Sequence, residues 1–148
     1  MIQRRCAPGL LAPVFALAVL FAGVADAQRD DKKPSVSLKA SPTIGFSPLK
    51  VRLTVEVRGG ADDDADFYCP AIEWDFDDDL TSESYEDCEP HEPGKSSIRR
   101  YYSTEHVFRE YGTGSTYTVR FRMKQGDRVV ANASTNVTVR AGLRDDLD

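Results

Sequence analysis

Fourteen aspartate and glutamate residues fall between Asp62 and Glu92, and no lysine or arginine lies among them. Carboxylates at that density are the donor set of a hard cation, because Ca²⁺ gathers six to eight oxygen ligands. The tightest group is Asp75, Asp77, Asp78 and Asp79, with Glu83 and Glu86 following. On an extended chain, Asp75, Asp77 and Asp79 share one side, opposite Trp74 and Phe76. Those three could hold an ion, with Glu83 or Glu86 closing from the return segment. Asp75, Asp77, Asp79, Thr81, Glu83 and Glu86 even take positions 1, 3, 5, 7, 9 and 12 of an EF-hand loop. Position six is Leu80 instead of glycine, and Trp74 belongs to a strand pattern where an entering helix is required, so the match is discounted. Ca²⁺ is thus the one cofactor the sequence raises, at a weak site. The leading reading is a plain solvated acidic surface.

Catalysis finds little to use. His91 and His106 are the only histidines. Neither sits in a motif around a nucleophilic serine or beside a second metal-type histidine. No catalytic residue is assigned, and the chain reads as non-enzymatic. Basic residues come later, at Lys95, Arg99, Arg100, Arg120, Arg122, Lys124 and Arg128. They suit the outer polar face of strands, partly offsetting the acidic stretch. The sharper alternative is a dipolar surface that steers a charged partner or self-association. Asn132-Ala-Ser134 and Asn136-Val-Thr138 are glycosylation sequons, read here as coincidence in a threonine-rich strand.

The elements that must position these residues are strands. Val51, Leu53, Val55 and Val57 alternate with Arg52, Thr54 and Glu56. Ile72, Trp74 and Phe76 alternate with Glu73 and Asp75, and Tyr117, Val119, Phe121 and Met123 with Thr118, Arg120 and Arg122. Val129, Ala131, Ala133, Thr135, Val137 and Val139 share a parity near the end. A period of two with one polar face marks antiparallel strands half exposed to water. Shorter strands are expected at Val36 to Ala40 and between Ile98 and Phe108. Gly59-Gly60 and Gln125-Gly126-Asp127 read as turns. The expectation is an all-β, antiparallel sandwich of about seven strands. Trp74, Phe76, Tyr117 and Val119 are its structural core.

The order of these pieces resembles the PKD (polycystic kidney disease) repeat, an immunoglobulin-like sandwich of exported bacterial proteins. Ser41-Pro42 to Gly45, followed by Ser47-Pro48-Leu49-Lys50-Val51, is similar to the family's loop into its second strand. Trp74-Asp75-Phe76 with Asp78 matches its W-D-F-G-D-G signature. His106-Val107-Phe108 resembles its H-x-Y/F element, and Gly114 with Tyr117-Thr118-Val119 its G-x-Y-x-V strand. The likeness spans 34–140. Asp77 and Asp79 stand where the signature has glycines, at turn positions that favour positive φ; aspartate tolerates that conformation better than most residues. The resemblance implies a structural His106 and a binding or adhesion class without naming the ligand.

The compartment follows from the N-terminus and the cysteines. Arg4 and Arg5, the uncharged run Gly9 to Ala25 and Ala25-Asp26-Ala27 form a secretory signal peptide over 1–27. The run falls short of the about 20 residues of a spanning helix, so no membrane insertion is expected after cleavage. The mature chain would be secreted, periplasmic or at the cell surface. Losing Arg4, Arg5 and Asp26 leaves 17 basic and 23 acidic residues, a net charge of −6. That excludes a nucleic-acid partner, which needs a basic field. Cys69 and Cys88 remain as a pair and are expected to form a disulfide in an oxidising compartment. Residues 28–33 and 141–148 are charged, apolar-poor tails flanking a domain over 34–140. Two functions compete: a non-enzymatic binding module recognising protein or glycan through sandwich loops, and a structural spacer or assembly component of an extracellular or periplasmic complex.

Overall fold

A computed structural model describes residues 33–110 and 112–142. The expected signal peptide over 1–27 and nearly all of both expected tails lie outside these residues. Eight strands form: β1 (Ser35–Ser41), β2 (Ile44–Phe46), β3 (Leu49–Arg58), β4 (Ala71–Asp75), β5 (Thr81–Ser84), β6 (Tyr101–Phe108), β7 (Ser115–Gln125) and β8 (Arg128–Arg140). They make two sheets, ordered β1-β3-β6 and β2-β8-β7-β4-β5. The described residues contain no helix, and so none long and apolar enough to cross a membrane.

The alternation seen in the sequence places the core between the sheets. Val51, Leu53, Val55 and Val57 of β3 are buried, as are Ile72, Trp74, Val119, Phe121 and Met123 opposite them. Trp74 faces Phe121 across the β4–β7 ladder, the rings edge to face at 4.8 Å. Full burial of an aliphatic or aromatic side chain contributes about 1.5–3 kcal/mol each, so this layer dominates the fold. Two loop residues, Phe67 and Ile98, also enter it. Phe76, just past β4, is buried; Tyr117 is only half-buried at the rim, where it stacks on Phe108.

Four expectations need correction. There are eight strands instead of about seven: besides the six runs read from the sequence, β2 forms before β3, and the chain after Asp79 folds back as β5 along β4. One pair is parallel: β2 lies beside the end of β8, with Ile44 opposite Thr138. The strand expected from Ile98 begins at Tyr101, while Ile98 is pinned by its N–H donating to Asp62 O at 2.6 Å. Val129 does not share the inner face of β8. A register shift opposite Met123 and Lys124 leaves Val130 as an extra residue, which turns Val129 outward and Val130 toward the core. A bulge reverses parity in this way without interrupting a strand. The β7–β8 turn is tight, as expected. Gly126 takes a φ of 57° and Asp127 stays negative, the pattern of a type II′ hairpin.

Candidate functional site

The acidic residues do not converge. β4 stops at Asp75, and the chain turns through Asp77 and Asp79, whose φ values are 63° and 66°. Phe76 N–H donates to Leu80 O at 3.1 Å and closes that turn. Asp75 Oδ2 lies 3.4 Å from Arg120 Nη1, and Asp77 Oδ1 is 3.2 Å from the same atom. Asp77 also accepts the Thr118 N–H at 2.9 Å. That backbone bond, and then Arg120, hold its carboxyl below the usual aspartate range. Glu83 meets Lys124 at 3.4 Å, and Glu86 pairs with Arg99. Asp79 is exposed at the turn. Of the five expected cation ligands, Asp75 and Asp77 thus share Arg120, Glu83 and Glu86 go to Lys124 and Arg99, and Asp79 faces solvent. Among the described residues no group of three or more His, Cys, Asp or Glu is placed to hold a metal ion.

What the sequence split into an acidic stretch and a later basic cluster is one cross-strand lattice. β4 and β7 are neighbours, and their polar residues share the outer face of the five-stranded sheet. Glu73 meets both Lys124 and Arg122. Lys124 chiefly, with Arg122, holds the Glu73 carboxyl below its ordinary range, against the opposing effect of burial. Asp78 goes elsewhere: its Oδ2 lies 2.7 Å from His106 Nε2, so the ring N–H donates to the carboxylate. His106 is sandwiched, stacked on Phe76 at 3.9 Å and edge-on to Phe108 at 4.7 Å. This histidine orders the turn by packing and one hydrogen bond.

The opposite end of the sandwich carries a different constellation. The β3–β4 segment (59–70), the β5–β6 segment (85–100) and the β7–β8 turn all emerge there, because β3 and β7 end where β4 begins. Cys69 and Cys88 are bonded, with Cα atoms 6.2 Å apart, and join the first two segments. Tyr68 Oη donates to Glu89 O at 2.9 Å, His91 Nε2 to Asp63 O at 2.9 Å, and Gly94 N–H to Asp63 Oδ2 at 2.7 Å. Arg100 pairs with Asp62 and donates to Gly59 O. The hairpin ties in through Gln125 Nε2 on Tyr68 O at 2.5 Å and Arg128 on Asp66 at 2.6 Å. Arg128 holds the Asp66 carboxyl below its usual range.

These contacts make an ordered surface out of chain without strand structure. Glu86, Asp87, Glu89 and Glu92 remain exposed on it. The sequence singled out Cys69 and Cys88 but not the partners Tyr68, Asp63 and Gln125. The disulfide was the available signal, since it requires the two segments to meet. A second feature escaped notice: the buried Tyr102 hydroxyl makes no hydrogen bond, and burial pushes its phenol up to about 12. No protein-family model matches this chain, and no curated protein matches it significantly.

Proposed function

We propose that the protein is an exported, non-enzymatic recognition module of the immunoglobulin-like, PKD-related type, binding a protein or glycan through the loop end. The strand order supports the sandwich type. Taken in sequence, β1, β3 and β6 stand where an immunoglobulin domain has A, B and E. β4, β5, β7 and β8 then stand for C, C′, F and G. Asp77 and Asp79, with positive φ, take the turn role of the glycines in the family signature.

One observation carries the functional reading. The three connections at the loop end correspond by position to those that form the antigen-binding loops of variable domains, and here they are cross-braced by a disulfide and at least five polar contacts. Bracing before binding lowers the ordering cost that flexible loops incur on association. The exposed carboxylates favour a basic or hydroxyl-rich partner. Replacing Asp87 and Glu89 by lysine tests this, because both side chains are exposed. Glycan-array binding and crosslinking to co-exported proteins should show a ligand of the wild type that the variant loses about tenfold or more. A ligand retained equally by both proteins, or no ligand of either class, would refute the assignment.

A further inference from the structure

β6 is the outer strand of the three-stranded sheet, and over Tyr101–Phe108 only one of its sides is paired. The ladder shows which residues face the open side. Val57 N–H donates to Arg100 O at 2.9 Å, so even-numbered residues along β6 turn their backbone groups toward β3. Antiparallel alternation then turns those of Tyr101, Ser103, Glu105 and Val107 outward. Arg99 agrees with this, since its Nε donates to Tyr101 O at 2.9 Å. Among the described residues no backbone group bonds to that edge.

We propose that this edge pairs antiparallel with β6 of a second copy of the chain, joining two three-stranded sheets into one of six strands. Long open edges are usually blunted by proline, a bulge or uncompensated charge. β6 has no proline, and its register with β3 is unbroken from Tyr101 to Phe108. Its only acidic side chain, Glu105, is met by Lys50 at 2.6 Å and Arg52 at 2.9 Å. Over Tyr101–Phe108 a two-fold approach therefore opposes no uncompensated like charge; just past the strand ends Arg99, which is paired with Glu86, comes opposite Arg109. Of the other strands that border a sheet, β2 and β5 have only three and four residues, and the seven-residue β1 lies against β8.

A two-fold axis beside Thr104 sets Tyr101 opposite Val107 of the second copy, and Ser103 opposite Glu105. In that register the outward backbone groups of both strands meet. An aromatic residue faces a β-branched one, a favourable cross-strand pair. Tyr101 is 61% exposed in the single chain. The symmetry closes the assembly at two copies. An edge contact buries less than the about 1,200 Å² of standard interfaces, so the dimer is weak and concentration-dependent.

Sedimentation velocity of the purified protein from micromolar to millimolar concentration tests this. The weight-average coefficient should rise along a monomer–dimer isotherm. Ser103→Pro should weaken dimerisation about tenfold or more, because proline removes an edge donor. The Ser103 N–H points away from β3, so this variant keeps the internal ladder, and its melting curve verifies that. Tyr101→Lys leaves the backbone untouched and should give the same loss if the proline variant folds poorly. Amide exchange at Ser103, Glu105 and Val107 should slow with concentration while Tyr102 and Thr104 stay constant. A monomer at every concentration, association indifferent to both variants, or growth past two copies would overturn the proposal. None of these readouts involves the loop end, so the two assignments fail independently.

Discussion

Replacing Cys69 and Cys88 together by serine should destabilise the domain by about 3 kcal/mol. The bond closes 19 residues of sequence separation, and the chain-entropy relation for a loop of about 20 residues gives about 3.3 kcal/mol at 25 °C. Little of that should come from the folded state. The two segments stay joined by Tyr68 Oη on Glu89 O, Gly94 N on Asp63 Oδ2, Ile98 N on Asp62 O and the Arg100–Asp62 pair. The folded variant should therefore keep the wild-type near-ultraviolet dichroism. Equilibrium urea unfolding followed by Trp74 fluorescence reads the effect. With m near about 2 kcal/mol/M, the midpoint should fall by about 1.5 M. The slope should also rise, since the unlinked chain exposes more surface when it unfolds. Reducing the wild type should reproduce both changes, and mass spectrometry of the non-reduced protein should find Cys69 and Cys88 joined. A midpoint shift below about 0.3 M, worth about 0.6 kcal/mol, would refute the entropic reasoning. Two free thiols would refute the bond itself.

Trp74→Ala should cost about 3–5 kcal/mol, because it empties a buried site packed on Phe121; an unchanged melting temperature would contradict the core described here. Glu73→Gln should lose about 0.2–1 kcal/mol at neutral pH through its pairing with Lys124 and Arg122. The Glu73 carboxyl is depressed in the folded state, so its contribution is complete above the ordinary glutamate range and disappears as pH falls through the lowered value. The variant and wild-type stability curves should accordingly merge in acid, and a gap that widens there would reverse the sign. Millimolar Ca²⁺ should raise the melting temperature no more than Mg²⁺ does at equal ionic strength, because Asp75, Asp77, Glu83 and Glu86 are engaged by Arg120, Lys124 and Arg99. A Ca²⁺-specific shift would restore the cation reading of the turn.

The sequence by itself determined the all-β class, the inward faces of β3, β4 and β7, the tight Gly126 turn and the cysteine pair. Each is a short-range property: alternation reports which side of a strand is buried, and glycine or cysteine chemistry marks its own position. β2 was harder to read, because three residues are too few to show a period. Val129 was misread because a bulge shifts parity, and its cause lies across the ladder at Met123 and Lys124.

Tertiary structure alone decided how the charges act. Seen along the chain, Asp75, Asp77, Glu83 and Glu86 are a repelling cluster that water or a cation must relieve. Antiparallel pairing of β4 with β7 sets Glu73 opposite Arg122 and Asp75 opposite Arg120, dozens of residues away in sequence. Coulomb attraction depends on distance in space, and pairing register fixes that distance. The same holds at the loop end, where segments 59–70 and 85–100 become one surface only because β3, β4 and β6 bring their ends together.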